Sequence, residues 1–380
     1  MRILTADIGT GTQDIYLFDS RLEVENGYKL VLPSPTLMVR RAISRAIADQ
    51  RDIVLTGSIM GGGPSGWGVA DALKTGRKVY ATPQAATTLD DNLDAVTQTG
   101  VILISEEEVS ALPEKVVRIQ MRDFDFNAIR AAFAHFDVSL DALDALALAV
   151  FDHGNAPANI SDRKFRFDYL ADRIQNTNHL SAFSYPAGNI RKSMTRLQAA
   201  ADCARNVDCP VVVMDTAPAA VLGAIQDPQA NLQDRRIVVN IGNMHILGFR
   251  LKGSAIEGVF EHHSHCFDQT KLERLLASFA DGSLTNEQVF ADHGHGAWLG
   301  NIAPLSLTEK NRLVVIGPRR NLLAGSVFDP YFAAPYGDMM IAGCFGLLRA
   351  CADHLPDATE EIISALNGTN HPRAPWEFVK

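Results

Sequence analysis

Short apolar runs alternate with segments whose apolar residues recur at helical spacing along most of this chain, the pattern of an α/β protein. The first run, residues 3–6, leads into Asp7-Ile8-Gly9-Thr10-Gly11-Thr12-Gln13-Asp14 and a second run at 15–18, which predicts a hairpin with a polar, glycine-containing turn. Helical periodicity follows over 36–49, and a strand at 53–55 precedes the glycine-rich break Gly57-Ser58-Ile59-Met60-Gly61-Gly62-Gly63-Pro64. Further strands are predicted at 78–81, 101–104, 116–119 and 146–151, with a helix over 127–135. Residues 156–189 mix charge, Asn and aromatics without clear period and read as an insertion or lid. A helix over 193–206 and a strand at 210–214 precede a run of very small residues, Asp215 to Ala224. Small residues at that density predict a helix packed closely against another backbone.

The pattern then repeats imperfectly. Residues 236–251 again read strand, polar-glycine turn, strand, and a helix at 271–280 and a strand at 313–316 lead to Gly317-Pro318-Arg319-Arg320. A second small-residue helix begins near Gly337-Asp338 and includes Gly343.

The opening turn carries candidate chemistry. Gly9 and Gly11 let backbone amides approach an anion, Thr10 and Thr12 add hydroxyl donors, and Asp7 suits a phosphate only with Mg2+ and its waters between them. The competing reading is an ordinary polar turn. Gly61 to Gly63 lack the GK[ST] ending of a P-loop and read as a place where backbone comes close in a cleft.

Composition narrows the classes. The chain has 380 residues, 47% hydrophobic and 21% charged, enough for two domains. A net charge of −9 without a basic segment argues against a nucleic-acid partner, and no apolar run reaches the roughly 20 residues that span a bilayer. No targeting signal is recognisable, so a cytoplasmic location is expected. The five cysteines, Cys203, Cys209, Cys266, Cys344 and Cys351, are scattered without C-x2-C or C-x3-C-x2-C spacing, so they frame neither disulfides nor an iron–sulfur cluster.

The order of segments around Asp7, Asp215, Asn240, Gly317 and Gly343 resembles the actin-like ATPase superfamily, which includes actin, the heat-shock chaperone nucleotide domain and sugar kinases. In that superfamily a phosphate loop, a connecting helix, a second phosphate loop, an adenosine loop and a second connecting helix follow one another. More narrowly, ILTADIGTGTQDIYLFD, GSIMGGGP, VVIGPRR and GDMMIAGCFGLL resemble a family labelled as pyruvate formate-lyase activating enzymes. The label conflicts with the residues, because a radical activating enzyme needs a cysteine triplet that is absent here.

The resemblance implies a two-lobed, duplicated, ribonuclease H-like α/β fold with ATP and Mg2+ in an interlobe cleft. Lobe I would span 1–226 and be completed by 337–380, with lobe II at 227–336. Asp7, Asp215 and Asn240 would be catalytic, Asp7 holding Mg2+ through water and Asp215 orienting the attacking nucleophile or, read locally, capping its helix. Gly9, Thr10, Gly11, Thr12, Gly242 and Asn243 would line the phosphates, and Gly317, Arg319 and Arg320 the base or ribose. Gly337, Asp338 and Gly343 would close the site. Asn240 stands where the superfamily has Asp, and Gly317-Pro318 where it has paired glycines. The implied activity is phosphoryl transfer to a small molecule or slow ATP hydrolysis coupled to lobe closure; the alternative is a nucleotide-gated regulator of a partner enzyme. Oligomeric state is left open.

Histidines form a separate feature. His262, His263 and His265 lie in one segment, and His293 and His295 in another. Spacing of two on extended strands would place His263 with His265 and His293 with His295, a candidate transition-metal set if the segments meet; phosphate or substrate binding and a structural role compete with it. A metal-dependent enzyme built on this cluster is the second alternative. Asp152, His153 and Asn155 follow a strand, where they would either contact substrate or cap the strand end.

Overall fold

Residues 2–8 and 12–19 are almost continuously buried and form β1 (Arg2–Ile8) and β2 (Thr12–Asp19), antiparallel, with Asp7 directly opposite Asp14. The computed structural model describes residues 1–378. Strand β3 (Tyr28–Pro33) completes a meander, and α1 (Pro35–Ala48) starts at Ser34, whose side chain accepts the Leu37 N–H.

Next come β4 (Ile53–Gly57), α2 (Pro64–Lys74), β5 (Val79–Ala81), β6 (Ile102–Leu103) and β7 (Val117–Met121). These four strands form a sheet of their own, entirely parallel, in the order β6-β5-β4-β7. Its separate core, around Ile43, Leu55, Val79 and Met121, was not legible as a unit in the sequence, because each strand in isolation resembles those of the main sheets.

The chain then returns to the first sheet with β8 (Ala145–Val150), α3 (Asp162–Asn176), β9 (Ser184–Pro186) and β10 (Val211–Asp215), followed by α4 (Thr216–Ala224). The sheet order is β3-β2-β1-β8-β10-β9, with β8 parallel to both β1 and β10. Every residue of β8 is buried, as expected for a strand covered on both faces.

A second mixed sheet comprises β11 (Arg235–Ile241), β12 (His245–Lys252), β13 (Ala255–His263), β14 (Gly296–Leu299), β15 (Leu313–Ile316) and β16 (Tyr331–Phe332), in the order β14-β13-β12-β11-β15-β16. Helix α5 (Ala342–His354) follows and packs on α4 and on β1. The internal repeat is therefore visible in the strand order: an antiparallel meander (β1-β2-β3, β11-β12-β13) whose first strand is joined by parallel strands (β8 and β10, β15 and β16).

The segment 156–189, expected to be an irregular lid, instead contains α3, a 15-residue helix with Arg166, Phe167, Tyr169 and Leu170 buried. A buried arginine on the inner face broke the apolar period that would have signalled it.

The two small-residue helices meet as expected. A Cβ at Gly223 would overlap the Ala342 carbonyl, and one at Gly346 would overlap the Ala219 carbonyl. Ala219 and Gly223 lie one turn apart on α4, as Ala342 and Gly346 do on α5, so each helix offers a notch to the other's backbone. Gly223→Ala and Gly346→Ala should each destabilise the protein by about 1–3 kcal/mol through overpacking. Gly188→Ala, where a Cβ meets nothing within 4 Å, should be near neutral in the same urea unfolding experiment.

Candidate functional site

The turns of the two hairpins are built alike and face each other. Gly9 N–H donates to the Thr12 carbonyl at 2.9 Å, and Gly242 N–H to the His245 carbonyl at 2.9 Å. Gly11 packs so closely on the side chain of Asn243 that a Cβ there would reach the amide nitrogen at 2.5 Å. Between the turns opens a cavity of about 530 Å3, lined by Asp7 to Thr12, Asn240, Gly242, Asn243, Gly317, Gly343 and the Gly61–Gly63 loop beyond β4. The lining segments follow the carboxyl ends of β1, β4, β8, β11 and β15, where open α/β sheets place ligands.

Asp7 and Asp14 share one face of the hairpin because they are cross-strand partners, and both line the cavity. Asp7 accepts a 2.5 Å hydrogen bond from the Thr216 hydroxyl at the start of α4. Its other oxygen lies against Gly343 at the start of α5, where a Cβ would overlap the carboxylate. Asp14 Oδ1 is buried without a partner. Burial raises Asp7 to about 7, opposed by the Thr216 bond and reinforced by Asp215. Burial and then the Asp7 charge raise Asp14 to about 8. Two buried carboxyls forced together in this way attract a cation.

Several expected site residues lie elsewhere. Asp215 is fully buried, caps α4 through the Ala217 N–H at 3.2 Å, and is ion-paired with Arg166 of α3. It does not line the cavity, so in this arrangement it faces Arg166 where a nucleophile-orienting acid was expected. Arg319 and Arg320 are also absent from the lining: Arg320 reaches the Ala333 carbonyl at 3.2 Å and stands over the Phe332 ring. Gly337 is exposed, and Asp338 accepts the Met340 N–H at 3.0 Å and lies 3.8 Å from Lys29; neither lines the cavity. Asp152, by contrast, lines the cavity, with its carboxylate also capping the loop after β8 by accepting the Gly154 and Leu197 N–H groups at 2.8 Å each.

The histidines assemble differently from the expected set. The nitrogens of His153, His245 and His295 lie within 4.8 Å of one another, close enough to hold a metal ion. Of the expected residues only His295 belongs to this trio. His263, opposite His245 across β12 and β13, stands beside it, its ring centroid 4.8 Å from that of His295. His265 and His293 are exposed, and His293 sits in a left-handed turn (φ 67°) that breaks the strand geometry assumed for it. His262 lies on the opposite face of β13 and is taken up by Asp292 at 3.1 Å. His245 closes the second turn, and His153 follows the buried strand β8; neither carries a local motif, and only the fold joins them.

These sheets and this cavity define a mixed α/β protein with an internal repeat and a ligand-sized site at its strand ends. The chain belongs to the family described as "Putative pyruvate format-lyase activating enzyme (DUF1786)", whose sequence profile matches residues 60–322. The chemistry of that description is not supported by the residues: the five cysteines are free, and the metal-ligand group among the described residues consists of histidines. No curated protein matches the sequence. The chain is similar to the crystal structure of an exopolyphosphatase-like protein (9% identity, TM-score 0.27, covering 83% of this chain and 66% of that one). It is likewise similar to the ROK hexokinase of Thermus thermophilus (12% identity, TM-score 0.25, covering 97% and 88%). Likenesses at these scores carry no weight for fold or activity. No helix among the described residues is long and apolar enough to cross a membrane.

Two outcomes follow from the buried charges. Because Asp7 and Asp14 have folded pKa values near 7 and 8, above the usual 3.8, the stability tied to their protonated forms is complete below about pH 4 and is lost as pH rises through 7 to 8. Thermal melts without divalent cations should therefore fall between about pH 4 and 8 and level off above that, and Asp14→Asn should flatten that fall; an unchanged slope would contradict the assignment. Asp215→Ala should cost about 3–5 kcal/mol by leaving Arg166 short of a partner. Adding Arg166→Met should recover part of that loss in urea unfolding.

Proposed function

We propose that the chain binds ATP with Mg2+ in the cavity between its two mixed sheets and transfers the terminal phosphoryl group to a small molecule. One observation carries this reading: like turns from two sheets of like strand order face each other across a buried carboxyl pair. Lobe I would comprise residues 1–226 with 337–380 and lobe II 227–336, the actin-like, two-lobed arrangement that the sequence resemblance implies.

The residues present fit the absent groups. The unpartnered Asp14 Oδ1 and the Asp7 carboxyl, both facing the cavity, are hard oxygen donors suited to Mg2+ and its waters. Gly9, Thr10, Gly11 and Thr12 on one side and Asn240, Gly242 and Asn243 on the other would hold the phosphates through amides and short polar side chains. Bound Mg2+ would neutralise phosphate charge and favour the ionised forms of Asp7 and Asp14. Thr216 fixes the Asp7 carboxyl, and the starts of α4 and α5 bring positive helix ends to the same place. Gly317 and Pro318, the residues of the expected adenosine loop that line the cavity, would face the nucleoside, whereas Arg320 reaches the Ala333 carbonyl beside the second sheet.

The ion pair that occupies Asp215, together with Asn240 in place of an acid, favours a second use of the same pocket, as a nucleotide-gated regulator with little turnover. The two uses differ in phosphate release: transfer or slow hydrolysis gives continuing turnover, and a gated regulator gives binding without it.

Thermal melts with ATP or ADP at millimolar concentration and Mg2+ test binding. A ligand at about 100 times its Kd adds about 2.7 kcal/mol of apparent stability. Wild type should gain several degrees with ATP and Mg2+, and Asp7→Ala should lose the Mg2+-dependent part. An unshifted wild-type melt would remove both uses of the pocket.

A further inference from the structure

From the geometry we infer that His153, His245 and His295 form a binding site for a divalent transition ion of the zinc class, with Glu261 as the carboxylate that orients His295. Such ions prefer imidazole nitrogen, whereas the carboxyls at Asp7 and Asp14 suit Mg2+, so the cavity carries two chemically distinct cation sites.

Proximity of the three nitrogens is one observation. A second is that both ring nitrogens of His295 lack a partner although the residue is only 1% exposed and lines the cavity. Buried imidazoles rarely leave both nitrogens unsatisfied without a ligand to receive one of them. A third observation lies behind the ring. Glu261 Oε1 is also buried and unpartnered, and it stands 3.7 Å from His295 Nδ1. A small rotation would make Nδ1–H donate to that oxygen, fixing the tautomer that leaves Nε2 free for an ion. Zinc-binding histidines commonly have this arrangement, with the second nitrogen held by a carboxylate.

The surrounding residues hold the set in place. The His295 N–H donates to the Glu261 carbonyl at 2.9 Å, so backbone and side chain of the pair are tied together. Glu261 Oε2 accepts from Arg166 Nε at 3.2 Å, and Arg166 stacks under Phe151, which in turn lies flat on His245 at 4.2 Å between ring centres. Zn–N bonds are about 2.0–2.1 Å, so closing the trio on an ion needs side-chain shifts of about 1 Å. His263 stands ready as a fourth imidazole; otherwise the remaining position faces the cavity and would take water or an oxygen donor.

The test uses the full chain without nucleotide or Mg2+, so its outcome is independent of ATP binding. Chelator-treated protein is titrated with Zn2+ by calorimetry and with Co2+ by visible absorption. One ion per chain should bind, with the d–d bands of low-coordinate Co2+. Glu261→Gln should weaken binding about 10–100-fold, His295→Ala should abolish stoichiometric binding, and His265→Ala should leave it unchanged. If His295→Ala does not fold, X-ray absorption at the zinc edge of wild type should still show at least three imidazole ligands. Absence of stoichiometric Zn2+ and Co2+ binding by folded wild type, a zinc shell made only of oxygen, or equal loss in His265→Ala would overturn the assignment.

Discussion

The close crossing of α4 and α5 sets the position of everything else in the site. Gly223 and Gly346 let each helix rest on the other's backbone, and any larger side chain at either position would drive the pair apart. Their N-terminal ends consequently converge on Asp7, one through the Thr216 hydroxyl and the other through Gly343. A carboxyl held between two helix starts and opposite a second carboxyl cannot relax away from its neighbour. Burial and the neighbouring charge push both acids upward, and under the proposed function a bound cation would relieve that repulsion.

A second constraint ties the halves together behind the cavity. Arg166 of α3 is fully buried between Asp215 at the end of β10 and Glu261 on β13, one residue from each mixed sheet. A buried guanidinium between two carboxylates contributes little net stability compared with an apolar core, but removing one partner leaves uncompensated charge. Its effect is on geometry: Asp215 is held away from the cavity, and Glu261 is held under His295. The same arginine thereby weakens the case for Asp215 as a nucleophile-orienting residue and strengthens the case for His295 as a ligand.

Much of the fold was legible because it depends on local pattern. Hairpin turns, buried strands and the small-residue helices each leave a short-range signature, and the repeat of strand, polar turn and strand predicted the repeat in sheet order. The parallel sheet β6-β5-β4-β7 was missed as a unit because sheet membership depends on long-range pairing, not on the strands themselves. Asp14 could have been found by counting, since the turn that closes at Gly9 and Thr12 fixes Asp7 opposite Asp14. The equivalent of Asp14 in the second hairpin is Leu247, opposite Asn240, so the carboxyl pair belongs to the first hairpin alone. The histidine trio was beyond reach: His153, His245 and His295 come from three separate segments, and the visible clusters at 262–265 and 293–295 drew attention to His265 and His293, which face solvent. Likewise the Arg319-Arg320 pair resembled a base-binding feature, and only the folded chain shows that neither lines the cavity.

Under the proposed function the carboxyl pair and the two facing turns form one cation–phosphate site. Anomalous diffraction from crystals grown with ADP and Mn2+ tests it most directly, because the ion marks its own position. An anomalous peak between Asp7 and Asp14, with the diphosphate against residues 9–12 and 242–243, is the expected result. A nucleotide bound away from both turns, or Mn2+ seated only on the histidines, would contradict it.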